Sequence, residues 1–147
     1  MNNTHICTIR TILFLLISFQ CIGIKNGFAS DLLDKEADAL IGEQKYSAAL
    51  EKIKRAIDQS KLKKDEMAWA KLVVKEAQLQ MGLHGYETAV KDLKRRQWPD
   101  KPLAEAMVNI AYASSLKNYF ESYSWEIRKR ERVESKEEVD LKAWTGD

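Results

Sequence analysis

The sequence predicts an all-α protein built of antiparallel helical hairpins behind an N-terminal export signal. Three observations predict it. Proline occurs only at Pro99 and Pro102, while Ala, Leu, Lys and Glu dominate elsewhere, a composition that favours helix. Apolar residues recur at helical spacing from Leu33 onward, one stripe to a face. The stripe pattern also returns at an offset of 40 residues, Tyr46-x-x-Ala49-Leu50 reappearing as Tyr86-x-x-Ala89-Val90. This reads as an internal repeat of one helical hairpin.

The leader comes first. Met1 to Arg10 carries a single basic charge, Arg10, and Thr11 to Ile24 carries none. Lys25 and Asn26 break the apolar run, and Gly27-Phe28-Ala29 puts small residues at −3 and −1 before Ser30. That is the layout of a secretory signal cleaved between Ala29 and Ser30. The uncharged run is shorter than the ~20 residues a helix needs to span a bilayer. An uncleaved anchor and a lipoprotein are the alternatives. Lipidation at Cys21 is disfavoured because Phe19-Gln20 precedes it where a small residue belongs. The expected division is residues 1–29 as signal, 30–130 as a helical repeat domain, and 131–147 as a charged linker with the start of a following segment. The expected location is the bacterial periplasm or cell envelope, with membrane contact only through an uncleaved leader.

The first helix after the signal carries Leu33, Ala37, Leu40 and Ile41 on one face. Gly42-Glu43-Gln44-Lys45 makes a tight turn. The second helix carries Tyr46, Ala49, Leu50, Ile53, Ala56 and Ile57. Two short helices joined so closely pack antiparallel to bury their stripes. Asp65 is the N-cap of a third helix with Trp69, Leu72, Val73, Ala77 and Met81. Gly82 suits the left-handed residue that ends it. Tyr86, Ala89, Val90 and Leu93 mark a fourth. Ala49 and Ala89 let the second helix of each hairpin approach the first, and Tyr46 and Tyr86 fill the gap where the turn opens.

The segment from Arg95 to Pro102 is a linker in which Trp98 is a hinge plug or a helix cap. Pro102 opens a long helix bearing Leu103, Ala106, Met107, Ile110, Leu116, Phe120, Tyr123 and Ile127. It runs to about Arg130, unbroken or bent near Ser114-Ser115. Arg128 to Asp140 is almost wholly charged and reads as a solvated linker. Trp144, near the end, has little to pack against unless more chain follows.

The residues offer little to a catalyst. Cys7 and Cys21 both lie in the leader, and beyond it the one histidine is His84, in a Gly-rich turn. No Cys/His cluster suits zinc, and Gly82-x-x-Gly85 lacks the lysine and spacing of a phosphate loop. Pairs such as Glu51/Arg55 and Asp92/Arg96 read as i, i+4 surface pairs. The 24 basic residues, less Arg10 and Lys25 of the leader, leave 22 against 22 acidic ones. Such a neutral chain does not read as a nucleic-acid binder. No cofactor and no metal is expected, and an envelope hydrolase using carboxylates is the weakest reading. The remaining candidates are aromatic and basic. Tyr123, Trp125, Arg128, Arg130 and Trp144 are a candidate docking surface for another domain.

The hairpin unit, with its aromatic and its alanine three residues on, resembles a tetratricopeptide repeat, although the offset of 40 exceeds that family's period of about 34. The expected architecture is therefore a tetratricopeptide-like solenoid. Tyr119-Phe120-Glu121-Ser122-Tyr123-Ser124-Trp125-Glu126-Ile127-Arg128-Lys129-Arg130, followed by Val139-Asp140-Leu141-Lys142-Ala143-Trp144-Thr145, is similar to the end of the N-terminal helical region of large bacterial alpha-2-macroglobulin-like proteins. The resemblance implies the front end of a longer endopeptidase inhibitor. The thioester of that family needs Cys-x-Glu-Gln, which does not occur, so protease trapping does not reside in these residues. The function expected is a non-enzymatic exported scaffold that contacts a protein or the rest of its own longer chain. The alternative is a free-standing periplasmic adaptor that binds a peptide or an envelope protein in a concave groove.

Overall fold

A computed structural model describes residues 25–131, 134 and 140–145. The leader's apolar core with Cys7 and Cys21, and most of the charged stretch after Glu131, lie outside the described residues. Among those described the chain is all-helical, with five α-helices and no strand. They are α1 (Lys25–Gly42), α2 (Tyr46–Leu62), α3 (Glu66–Gly82), α4 (Tyr86–Arg95) and α5 (Pro102–Ile127), followed by a 3₁₀ turn at Leu141–Ala143.

One turn is used three times. Gln44, Lys64 and His84 each have positive φ, at 59°, 58° and 62°. At the first, Gln44 N–H donates to Ile41 O (3.0 Å) and Lys45 N–H to Leu40 O (2.8 Å). The same pair closes at Lys64 and Asp65 on Lys61 and Ser60, and at His84 and Gly85 on Met81 and Gln80. This double bond is the Schellman ending of a helix. The residue that completes it, Lys45, Asp65 or Gly85, also caps the next helix, its carbonyl accepting from Ala49, Trp69 or Ala89. No residue is spare, so each helix must fold back on the one before. Gly82 is not the left-handed residue that the sequence suggests. It is the last helical residue of α3, and His84 takes the strained conformation instead.

A side chain in the left-handed region is unfavourable by about 1–2 kcal/mol, from which glycine's larger loss of chain entropy must be subtracted. Gln44→Gly, Lys64→Gly and His84→Gly are each expected to raise stability by about 0.5–1 kcal/mol. Urea unfolding of the three variants checks this. Unchanged or lowered midpoints in all of them would reject the shared turn.

The packing follows from the turns. Gln80 Nε2 donates to Asp92 Oδ2 (2.8 Å) and Arg96 Nη2 to Glu76 Oε2 (2.8 Å), which fixes α3 and α4 antiparallel. Between α3 and α5 the order is parallel. The Lys101 backbone N–H donates to Glu66 near their starts, and Asn118 Nδ2 reaches Met81 Sδ (3.3 Å) near the far end. Each helix packs on its successor, and α3 packs on α5 as well. On the other side of α3, Lys75 pairs with Asp34 and with Asp38 (2.6 Å) of α1. Burial alone would lower the Lys75 pKa, but the two carboxylates override it and hold it above its ordinary value.

The α3 helix is thus covered on several sides, and its buried set spans a wide arc: Trp69, Ala70, Leu72, Val73, Glu76, Ala77 and Gln80. The main core gathers Ala37, Ile53, Ala56, Ile57, Trp69, Val73, Leu93 and Val108. Ala49 and Ala89 have no exposed surface. The α5 helix runs unbroken through Ser114-Ser115, where the buried Ser115 hydroxyl donates to Ala111 O (2.8 Å). Trp98 is anchored by Nε1–H to Leu93 O (2.7 Å) and lies edge-on to Tyr112, so it seals the α4–α5 corner.

Candidate functional site

The exposed faces of α3 and α5 frame a groove of about 410 Å³. On α3 its wall is Val74, Ala77, Gln78 and Met81, at i, i+3, i+4 and i+7. On α5 it is Met107, Ile110, Ala111, Ser114 and Asn118, again at helical spacing. None of these side chains is charged. The groove exists because α3 and α5 are parallel neighbours, with small Ala77 and Ala111 at its floor. Met81 and Met107 are unbranched and polarisable, which lets such a wall fit differently shaped apolar partners. Asn118 spends its amide donor on the Met81 thioether, a weak acceptor that a peptide carbonyl would replace to advantage.

Ile110 is 68% exposed and Leu103 66%. The apolar surface therefore runs past the groove along the outer edge of α5. In the sequence these residues read as core, because the stripes of α5 cover almost its whole circumference. The signal that separates them lies in the neighbours, since α5 has α3 and α4 beside it and nothing across this edge among the described residues.

The residues proposed from sequence as a docking surface do not form one patch. Tyr119, Tyr123, Arg130 and Trp144 join each other. Tyr119 packs against Tyr123 (ring centroids 4.9 Å) and meets Trp144 edge-on (6.0 Å). Its hydroxyl donates to Leu141 O (3.1 Å), which also accepts from Arg130 Nη1 (3.0 Å). The hydroxyl beside it raises the Arg130 pKa above its ordinary value despite some burial, with help from Glu126. Leu141 is buried with Val90 and Ile127. Trp144 therefore has a partner within the chain, contrary to the sequence expectation. Asp140 caps the short 3₁₀ turn by accepting from Lys142 N–H (3.0 Å). Trp125 and Arg128 remain exposed, and Lys129 Nζ lies 3.7 Å from the Trp125 ring centre.

Tyr119→Phe removes one of the two donors to Leu141. A stability loss of about 0.5–1.5 kcal/mol is expected, along with faster proteolytic trimming of residues 140–145. Trimming at the wild-type rate would show that Arg130 alone holds this segment.

Tyr46 and Tyr86 are half-buried beside their turns. Tyr86 meets both Tyr123 (6.3 Å) and His84 (6.1 Å) edge-on. His84 is exposed at its turn. The expected surface pair Asp92/Arg96 is rearranged. Arg96 reaches across to the buried Glu76 while Asp92 accepts from Gln80. Glu51 pairs with Lys54 (3.6 Å) rather than with Arg55. Ser30 is buried within α1 and accepts from Lys63 Nζ (3.3 Å), so the expected cleavage junction at Ala29–Ser30 falls inside a helix.

Among the described residues no group of three His, Cys, Asp or Glu side chains is placed to hold a metal ion, and no helix is long and apolar enough to cross a membrane. Comparison of the chain with family models, with curated proteins and with solved structures finds no match.

Proposed function

We propose that this chain is a non-enzymatic, exported helical interaction module of tetratricopeptide-like build, whose α3–α5 groove receives a polypeptide segment. The observation that carries the reading is the uncharged, methionine-walled groove, which has an exposed apolar margin at Ile110 and Leu103. The α3 and α5 helices lying side by side, and the one turn repeated between successive helices, support the repeat-like build. In such arrays the helices of one row make a concave binding surface. Export rests on the leader, and cleavage before Ser30 would leave α1 starting at that residue.

The test introduces a photo-reactive residue at Val74 or Ile110, with Lys54 on the solvent side of α2 as control, in cells that make the full chain. Polypeptide adducts from the two groove positions and none from Lys54 are expected. The exported chain is expected to begin at Ser30 by intact mass. No adduct at either groove position would overturn the binding reading, and a full-length chain confined to the cytosol would overturn export.

One observation favours a second reading, the N-terminal helical part of an alpha-2-macroglobulin-like endopeptidase inhibitor. Residues that carry that resemblance, Tyr119, Tyr123, Arg130 and Trp144, lie in the seam between α5 and the segment after it. A seam of this kind would orient a following domain. Reading frames that continue past Asp147 into β-rich domains would support it, and a stop followed by unrelated sequence would end it.

A further inference from the structure

We propose that the recess where the end of α2, the start of α3 and the α4–α5 linker meet binds a free amino acid as its zwitterion. The site is separate from the α3–α5 groove and goes beyond the reading of that groove.

The recess measures about 360 Å³ and is lined by Lys61, Lys64, Glu66, Trp69, Gln97 and Asp100. The turn at Lys64 folds α3 back on α2. The Lys101 backbone N–H donates to Glu66 Oε2 and so holds the linker to the start of α3. Three stretches of chain thus bring their side chains together, and every one of the six carries a polar group.

The indole points to a ligand. Trp69 is 7% exposed, and its Nε1–H is buried with no acceptor. Gln59 Oε1, the other buried side-chain atom without a partner among the described residues, does not line the recess. Trp98, by contrast, spends its Nε1–H on Leu93 O. A buried donor left unpaired is unfavourable, and an arriving acceptor recovers what the fold leaves unmet. The Lys61 ammonium lies over the Trp69 ring, 5.0 Å from its centre, and shields it.

The charges select the acceptor. Neither Lys61 nor Lys64 is paired with a carboxylate among the described residues. With the indole N–H and the Gln97 amide they make a donor set suited to a carboxylate. Glu66 and Asp100 make the opposite demand. They repel a multiply charged anion such as phosphate, and they accept from an ammonium. An amino acid carries a carboxylate and an ammonium on one carbon and meets both demands. The recess is also large enough, since small-molecule sites begin at about 300 Å³. On binding, Lys61 leaves the ring for the ligand carboxylate, and the uncovered indole N–H donates to its second oxygen.

The full chain, labelled with nitrogen-15 at its tryptophans, tests the site by NMR. The Trp69 indole N–H resonance is assigned by its loss in Trp69→Phe and followed while the common amino acids are added singly. At least one is expected to move it downfield and saturably. The Trp98 resonance is expected to stay, because its N–H is already bonded. Lys61→Met and Asp100→Asn are each expected to weaken that amino acid about tenfold or more, the loss of one charge-assisted bond. Both positions are exposed, so circular dichroism and melting should match the parent. Acetate, which has no ammonium, is expected to bind about tenfold or more weakly than the amino acid and not to be weakened by Asp100→Asn. No saturable shift with any amino acid would overturn the proposal. So would acetate or inorganic phosphate binding as tightly as the amino acid, or an amino acid that Asp100→Asn does not weaken, since the site would then be a plain anion site. Adducts at Val74 and Ile110 report on the groove alone, so either reading can fail without the other.

Discussion

Replacing Arg96 with methionine is expected to lower stability by about 3–5 kcal/mol. The variant keeps most of the side-chain stem but removes the guanidinium that Glu76 needs. Glu76 is 3% exposed, and its Oε2 lies 2.8 Å from Arg96 Nη2. A buried carboxylate without its partner must either stay charged in a poor dielectric or take up a proton, and both are costly. Arg96 also donates from Nε to Asp92 O (3.2 Å), so it closes the last turn of α4 as well. Arg96→Met combined with Glu76→Met should recover most of the loss, because the second change removes the stranded charge. Urea unfolding of the two single variants and the double variant measures the coupling. A loss below about 1 kcal/mol in Arg96→Met would mean that Glu76 is hydrated and that the pair belongs to the surface class.

The second large effect comes from exchanging sizes at equivalent turn positions. Ala49, Trp69 and Ala89 each donate their backbone N–H to the capping residue of their own helix, yet two are small and one is the largest side chain available. Ala49 and Ala89 have no exposed surface. Tryptophan at either has nowhere to go, and a loss of about 1–3 kcal/mol or more is expected from overpacking. Trp69 is 7% exposed and sits in the main core. Trp69→Ala should cost about 3–5 kcal/mol through the cavity it leaves. Thermal unfolding checks all three. Unchanged melting of both alanine variants would show that those helix starts are looser than their burial implies.

Several features were legible in the sequence. The stripes of α2, α3 and α4 lie where the apolar spacing puts them, and Asp65 caps α3 with a side-chain bond from Ala68 N–H (3.0 Å). Pro102 opens α5. These are local effects, set by a few neighbouring residues. The repeated turn was only half legible. Its left-handed residues are glutamine, lysine and histidine, and the glycine that usually marks such a position lies two residues earlier at Gly42 and Gly82. Turn geometry here is imposed by the bonds of the flanking residues, at a cost in strain that no residue type announces.

The candidate groove was less legible still. Val74, Met81 and Met107 carry the same spacing signal as Val73, Ala77 and Val108, which are buried. Amphipathic period tells that a side chain faces another element, not whether that element is present. Arg96 shows the same gap for charge. Four residues from Asp92, it satisfies the rule for a surface pair, but its chain end bends back to a carboxylate twenty positions away.

The amino-acid sequence was enough to make this protein helical and to place its first four helices, because propensity and periodicity act over a turn or two. Which apolar faces stay open, which charges are buried and where the last tryptophan rests were settled by the assembled helices. Those depend on which helices become neighbours, a choice made by packing across the whole chain.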